Sequence, residues 1–220
     1  MTSYRSIEVS CAVCGSKTTK HRLSSSSSFG SPDLDLRPPQ MTRSTLSDWL
    51  EECRACGFVS SDLEHAELGV DRIMAKEHYS SIFTGPLSGT IVGRCLRRSI
   101  LDEELGNIVA AAEHALWAAW AADDKGSAAA KQYRSRAADL FLSGRSSLLS
   151  GSEQRTILDT KLVDILRRAE RWEEAINLAD GLLAVDRLDM TLKQVVAFGK
   201  RMAEVGDFGV YTVETAVSVR

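Results

Sequence analysis

The sequence has no marked excess of charge of either sign. Among its 220 residues, 27 Lys and Arg stand against 30 Asp and Glu, so the formal net charge is −3 at pH 7. Residues 1–60 carry 7 basic and 6 acidic side chains, and the remainder carries 20 and 24. A footprint for nucleic acid or for an anionic membrane needs a concentrated basic surface. The composition of neither part indicates one.

Long apolar runs are also absent. A helix that spans a bilayer needs about 20 predominantly apolar residues, and the most apolar stretch, IVAAAEHALWAAWAA, is interrupted by Glu113 and His114. The first 15 residues hold no apolar segment of the length that a signal peptide requires. We therefore expect a cytoplasmic protein, in which cysteine pairs serve as metal ligands or redox groups more often than as structural disulfides.

Motifs of the common enzyme classes are missing as well. The chain contains no glycine-rich phosphate loop, no HExxH and no GxSxG. Its four histidines, at 21, 65, 78 and 114, are not spaced as a metal cluster. Although catalytic residues can be scattered along a chain, these absences favour a protein without catalytic function.

Cysteine is scarce, yet four of the five cysteines form two copies of one pattern. CAVCG covers 11–15 and CRACG covers 53–57. Each CxxC turn can aim two thiolates at one point, and a glycine after the second cysteine tolerates the positive φ that closes the turn. Two such turns supply the four thiolates of a structural zinc site. The predicted zinc ligands are Cys11, Cys14, Cys53 and Cys56.

Other interpretations of the cysteines stay open at this point. A rubredoxin-like iron site also uses two CxxCG turns, although such sites are usually walled by several aromatic residues. A thioredoxin-like dithiol needs a single CxxC at a helix start in a βαβ context, and disulfides or a metal-free state are further alternatives. A closed site of four cysteines leaves no open coordination position, which argues against catalysis by the metal.

The fifth cysteine, Cys95, stands alone in TIVGRCLRRSI. We predict that it is a small apolar residue on one face of a helix. The alternative is a reactive thiol whose pKa is lowered by Arg94, Arg97 and Arg98.

The sequence around the cysteine pairs predicts a zinc ribbon. SIEVSC alternates as a half-buried strand does, with Ile7 and Val9 on one side, and STLSDWLEEC is expected to lead as a strand into the second turn. The span between the pairs is 15–52, longer than the 15–20 residues of the common pattern. The five consecutive serines at 24–28 are predicted to be loop.

Within this span the segment DLDLR alternates charged and apolar residues. In an extended chain Asp33, Asp35 and Arg37 would share one face, and the two leucines would share the other. One interpretation is a loop pinned by Asp–Arg pairs, with its leucines packed on the ribbon. The other is a polar recognition surface formed by Asp33, Asp35, Arg37 and Arg43, in which one of the two arginines holds an anionic group.

The order of CAVCG, FGSPDLDLRPP, RST, a tryptophan and ECRACGF resembles a family of uncharacterised prokaryotic zinc-ribbon proteins. The resemblance covers residues 8–80 well and the helical remainder more loosely. Members often have proline within the turns, where this chain has Ala12 and Arg54, and commonly tyrosine where it has Phe58. The resemblance implies a zinc-binding segment at the four cysteines, joined to helices, and it implies no particular activity.

From residue 61 onward the pattern indicates helices. Ser61 and Glu64 form a capping-box pattern that predicts a helix start. IVAAAEHALWAAWAADD with AAAKQYRSRAADLFLSG, and SEQRTILDTKLVDILRRAE with RWEEAINLADGLLAVDR, predict two antiparallel helical hairpins. A weaker third pair runs to the C-terminus. The stretch LRRAERWEEAINLADGLLAVD resembles a tetratricopeptide unit, because Trp172, Ala175 and Ala179 stand where such units carry an aromatic and two small residues.

Taken together, the sequence predicts an α+β, mostly α fold. A small zinc ribbon with four cysteine ligands would occupy residues 1–60, and antiparallel, tetratricopeptide-like hairpins would occupy residues 61–220. Stacked hairpins commonly bind a peptide or a helix on their concave face, although they can also close into one compact bundle. The predicted function is that of a non-catalytic zinc-binding adaptor with a protein partner and no membrane contact.

Two alternative functions stay open. The first is a zinc ribbon that binds nucleic acid, with contacts from Lys17, Lys20, Arg22, Arg37 and Arg43. The second is a rubredoxin-like redox protein that binds iron.

Overall fold

The computed structural model describes residues 2–186 and 188–218. Two small antiparallel sheets lie in its N-terminal part. Strand β1 (Ser3–Ser10) pairs with β2 (Lys17–Ser25), and β3 (Glu51–Glu52) pairs with β4 (Val59–Ser60). Each sheet is a hairpin closed by one CxxCG turn, so each pair of cysteines lies at the tip of two hydrogen-bonded strands.

Helices make up most of the rest of the described chain. In order they are α1 (Val70–Met74), α2 (Glu77–Thr84), α3 (Ile91–Glu104), α4 (Ile108–Asp123), α5 (Ala129–Gly144), α6 (Glu153–Arg168), α7 (Trp172–Leu183), α8 (Met190–Glu204) and α9 (Val213–Ser218). Consecutive helices from α3 to α9 pack on one another. The predicted α+β, mostly helical class is confirmed.

Capping residues set where several helices begin. The Thr90 hydroxyl accepts a hydrogen bond from the Gly93 N–H at 3.0 Å before α3, and Ser152 accepts one from Arg155 at 3.2 Å before α6. The Asp189 carboxylate accepts one from the N–H two residues on, at 2.8 Å, before α8. These oxygens satisfy N–H groups that have no partner within the helix.

Two expected elements differ from the structure. The helix predicted to begin at Ser61 begins only at Val70, because the Asp62 carboxylate accepts the Glu64 N–H at 3.1 Å and holds a turn instead. The strand predicted before the second cysteine turn is mostly a 3₁₀ helix (Thr42–Asp48). Its Thr45 hydroxyl donates to the carbonyl of residue 42 at 2.8 Å, which favours a helical turn over an extended chain.

The third predicted helical pair, at the C-terminal end, forms only in part. Helix α8 forms as predicted, but α9 is short, and the chain before it runs alongside the segment between the cysteine pairs. Asp33 and Thr212 form an isolated antiparallel bridge, and the Leu34 N–H donates to the carbonyl of Tyr211 at 3.0 Å. The linker, residues 26–41 between β2 and the 3₁₀ helix, therefore lies against the C-terminal part of the described chain.

Buried apolar clusters join the N-terminal part to the helices. One cluster combines Leu46, Leu50 and Val59 with side chains of α3 to α7. A second combines Cys11, Cys53 and further N-terminal residues with side chains of α1, α2 and α3. The division at residue 60 stays a prediction, and both clusters extend across it. Within residues 2–186 and 188–218, no helix has the length and apolar character needed to cross a membrane.

Candidate metal centre

The two cysteine turns have the same backbone hydrogen bonds. In each, the first cysteine donates its N–H to the carbonyl five residues later, at 3.0 Å for Cys11 and 2.9 Å for Cys53. The glycine N–H donates back to the carbonyl of that first cysteine, at 2.8 Å from Gly15 and 2.7 Å from Gly57. Both glycines have positive φ, 71° and 80°, as the sequence predicts. The motif therefore builds one local structure twice.

The four cysteine sulfurs converge on one point. All the Sγ atoms lie within 4.8 Å of one another, with Cys11 and Cys56 at 3.7 Å and Cys14 and Cys53 at 3.6 Å. A disulfide would hold its sulfurs about 2.05 Å apart, and all four thiols are free. The cluster is a candidate metal site with four soft ligands, and Cys11 and Cys53 are its buried members.

Backbone N–H groups stabilise negative charge on the sulfurs of Cys11, Cys53 and Cys56, although burial raises the pKa of the Cys56 thiol well above its ordinary value. Burial raises the pKa of the Cys53 thiol, but N–H groups of Cys56 and Ala55 outweigh this effect, so its pKa lies below the ordinary value. At Cys11 burial dominates over the corresponding N–H groups, and its pKa lies above the ordinary value. Hydrogen bonds of this kind around ligating sulfurs orient and tune a metal site.

Side chains of helices α2 and α3 form hydrogen bonds to the second cysteine turn. The Gly57 carbonyl accepts hydrogen bonds from the Tyr79 hydroxyl at 2.8 Å and from Arg97 Nη1 at 2.6 Å. The same guanidinium donates to Glu52 Oε1 at 2.6 Å and lies 5.2 Å from the centre of the Phe83 ring. Sequence reasoning missed this support. The sequence does not single out Arg97, because α3 also carries Arg94 and Arg98.

The first turn is held by a backbone hydrogen bond. The Ala12 N–H donates to the carbonyl of Leu63 at 2.8 Å, so the chain that follows the second sheet also fastens the first turn. Both turns are thereby fixed to structure outside the sheets, and the sulfur positions do not depend on the loops alone.

Cys95 lies on the buried side of α3 and is fully enclosed. Burial raises the pKa of its thiol to about 12, although Arg94 acts in the opposite direction. The interpretation of Cys95 as an activated thiol is therefore wrong, because desolvation outweighs the neighbouring arginine. It packs as a small apolar side chain.

Asp35 is the centre of a buried ionic network between the linker and the helices. Its Oδ2 accepts hydrogen bonds from Trp120 Nε1 at 2.8 Å and from Arg168 Nη1 at 3.2 Å. Arg134 and Arg168 both also bind Asp123, at 2.6 and 2.7 Å. Burial raises the pKa of the Asp35 carboxyl, but Arg168 and Arg134 outweigh it and hold the pKa below the usual value.

The other residues of the expected recognition surface are paired too. Arg37 donates to Asp124 at 2.6 Å, and Arg43 donates to Asp33 at 2.5 Å. Asp33, Asp35 and Arg37 are buried, so they do not form an exposed surface in this structure. The pairs match the interpretation of a pinned loop, and a ligand-binding role for the four residues stays a prediction.

The leucines of the linker do not pack on the ribbon. Leu34 is buried against Val195, Phe198 and Ala216 of α8 and α9, whereas Leu36 is 43% exposed. The expected alternation fails because the Leu36 N–H donates to the Asp33 carbonyl at 2.9 Å and closes a turn. A turn breaks the two-residue period on which the prediction depended.

Fold and site together define a mostly helical protein with a four-cysteine centre carried on two hairpins. In comparisons with family models, curated proteins and solved structures, nothing matches the chain. The resemblance to uncharacterised zinc-ribbon proteins and the tetratricopeptide-like character of the hairpins therefore stay predictions.

Proposed function

We propose that the protein is a non-catalytic zinc-binding interaction protein, in which the metal fixes the N-terminal part and the helices bind a protein partner. The observation that carries the proposal is the convergence of four thiols, with sulfur pairs 3.6 and 3.7 Å apart. In a tetrahedral zinc site with bonds of about 2.3 Å, adjacent sulfurs are about 3.8 Å apart. These two sulfur pairs fit that spacing, and the remaining pairs lie within 4.8 Å.

Zinc in such a site would have a structural role. Cys11, Cys14, Cys53 and Cys56 would fill all four positions, which leaves none for water or substrate. The ligands come from two hairpins that are far apart in sequence, so bound metal would link them and contribute to folding free energy. We propose a cytoplasmic location, where the thiols would remain available to the metal.

The interaction role is supported by the helical part. An open groove lies among α6, α7 and α8, and it keeps apolar side chains such as Ile157 and Val185 partly exposed. Exposed apolar surface of this kind marks interaction sites in soluble proteins.

The nucleic-acid alternative is disfavoured by the pairing of four of its five candidate residues, Lys20, Arg22, Arg37 and Arg43. Lys20 donates to the Glu52 carbonyl at 2.8 Å, and Arg22 binds Glu51 and Asp62 at 3.0 and 3.2 Å. Arg37 and Arg43 are paired as described above. Cations already engaged in this way would lose these contacts on binding phosphate.

Two measurements test the proposal. Elemental analysis of protein produced with equal zinc and iron should give about one zinc per chain, whereas a red preparation with one iron would favour the redox alternative. Affinity capture of the tagged protein from its own lysate, with and without nuclease, tests the partner. A stoichiometric protein that survives nuclease supports the adaptor role, and nucleic acid as the recovered species would contradict it.

A further inference from the structure

A groove of about 1200 Å³ lies between the end of α5, the loop after it, and helices α6, α7 and α8. None of its lining residues belongs to the cysteine site. Apolar side chains form part of its walls, and six of them are leucines: Leu142, Leu166, Leu178, Leu182, Leu188 and Leu192. Val185, at its rim, is 53% exposed, and Ile157 is 38% exposed. The walls of the groove thus leave apolar surface in contact with water.

The size and the lining of the groove favour a helix as its occupant. Pockets for small molecules are about 300–1,000 Å³ in volume, and this groove is larger. The elements that line it are helices and a loop, so no strand edge is present among the described lining residues to pair with an extended peptide. A helix satisfies its own backbone hydrogen bonds and can lay an apolar face on such walls.

The charges of the groove favour a basic occupant. Four carboxylates, of Glu153, Asp159, Glu174 and Asp189, line it together with the guanidinium groups of two arginines, 145 and 155, so the described lining has a net charge of −2. Both arginines donate to Asp159 Oδ2, at 3.0 and 2.9 Å, and Glu174 is bound by Arg171 at 2.7 Å. Among the described residues Glu153 and Asp189 have no cationic partner, so the charge that is left unpaired in the groove is negative.

Two buried polar atoms of the lining residues, Asp159 Oδ1 and Arg145 Nε, lack a hydrogen-bond partner among the described residues. The Asp159 side chain is only 9% exposed, and its Oδ1 has no hydrogen-bond partner among the described residues. A buried acceptor without a donor is costly. A Lys or Arg side chain of an occupant could donate the missing hydrogen bond to Asp159 Oδ1.

We propose that this groove binds a basic amphipathic helix of a partner protein. Apolar residues on one face of that helix would pack on the leucines, and its Lys or Arg side chains would lie against the carboxylates at the rim. This inference rests on the proposed interaction function and deepens it, because it names the surface and the chemistry of the partner.

Fluorescence anisotropy with model helices tests the proposal on the full-length, metal-loaded protein. The probes are a labelled Leu/Lys amphipathic helix, a Leu/Glu helix with the same apolar pattern, and a Ser/Lys helix with the same charge. We expect the Leu/Lys helix to bind at least about tenfold more tightly than either control. Equal binding of the Leu/Glu helix, or no binding of any probe, overturns the proposal.

Matched variants locate the binding surface. Val185→Lys removes an apolar contact and repels a basic helix, whereas Val210→Lys changes a similarly exposed valine (55%) outside the groove. Glu153→Lys reverses a charge in the first turn of α6, and Glu214→Lys does so in the first turn of α9. We expect about tenfold weaker binding for the two groove variants and less than about twofold change for the controls. Equal effects in both pairs overturn the proposal.

Two further outcomes separate this inference from the proposed function. A protein partner that is captured equally by the wild type and by Val185→Lys would leave the adaptor role standing and overturn the groove as its site. Sedimentation that shows a dimer of the wild type and a monomer of Val185→Lys would assign the groove to a second copy of this chain, and it would overturn the basic helix as the occupant.

Discussion

Arg97 on α3 donates from its buried guanidinium to the carbonyl of Gly57, at 2.6 Å, and so connects the helical part directly to the second turn of the candidate metal centre. The same side chain binds Glu52 Oε1 at 2.6 Å. A fully buried guanidinium is tolerated only when its charge is paired and its donors are satisfied. This residue therefore couples the stability of the candidate metal centre to the packing of α3.

Replacing Arg97 should weaken both the fold and the metal site. We expect Arg97→Met to lower the free energy of unfolding by about 3 kcal/mol, because Glu52 and the Gly57 carbonyl lose a buried partner. Urea titration measures the loss, and competition with a chromogenic chelator measures zinc affinity. Arg136→Met removes an exposed pair with Glu103 and should cost less than about 1 kcal/mol. Similar losses in both variants would argue against the coupling.

Removing one candidate ligand should release the metal. We expect Cys53→Ala to lose most of its zinc and to expose residues 1–60 to protease, since three thiols no longer close the site. Cys95→Ala changes a buried cysteine outside the cluster and should retain the metal. Elemental analysis of the purified variants decides the matter. Full zinc occupancy in Cys53→Ala would show that the assignment of the ligands is wrong.

The two turn glycines should differ in their tolerance of alanine. Both have positive φ, which costs a residue with a Cβ about 1–2 kcal/mol. At Gly57 a Cβ would also lie 2.8 Å from the Phe83 ring, whereas at Gly15 nothing lies within 4 Å. We therefore expect Gly57→Ala to lose about 1–3 kcal/mol more than Gly15→Ala.

A double-mutant cycle isolates the steric part of that difference. Phe83→Leu removes the ring that would meet the new Cβ, so it should be less harmful in the Gly57→Ala background than in the wild type. Urea unfolding of the four proteins measures the coupling. Strict additivity of the two substitutions would rule out a clash with Phe83.

The Asp35 network should make stability depend on acid pH. The pKa of the Asp35 carboxyl is lowered in the folded protein. In the unfolded state this carboxyl has the ordinary Asp pKa of about 3.9, so the unfolded state binds more protons at acid pH. The stabilisation is fully present above that value, and it is lost as the pH falls through the lower folded pKa. At pH 7 we expect Asp35→Asn to cost about 3–5 kcal/mol, because Arg168 and Arg134 lose a buried partner.

The pH dependence itself distinguishes this network from a surface pair. The difference in unfolding free energy between wild type and Asp35→Asn should shrink as the pH is lowered from about 5 to about 2. Asp180→Asn, which removes an exposed pair with Lys200, should cost less than about 1 kcal/mol throughout. A difference for Asp35→Asn that stays constant with pH would contradict a lowered pKa.

The sequence by itself determined the chemistry of the cysteine turns and most of the helices. A CxxCG turn depends on the spacing of two thiols and on a glycine that accepts positive φ, and both are local properties that a short motif contains. Helices α4 to α8 likewise form where apolar periodicity predicts them, and Ser152 and Asp189 cap α6 and α8, because these interactions span only a few residues.

Only the tertiary structure decided how these parts are joined. Asp35 meets Trp120 and Arg168, which are 85 and 133 residues further along the chain, and Arg97 meets a turn that lies 40 residues before it. No short motif contains such pairs, because a buried charge finds its partner through the packing of whole helices. Local rules also failed at Ser61 and at Leu36, where a nearby hydrogen bond closed a turn that the residue pattern did not predict.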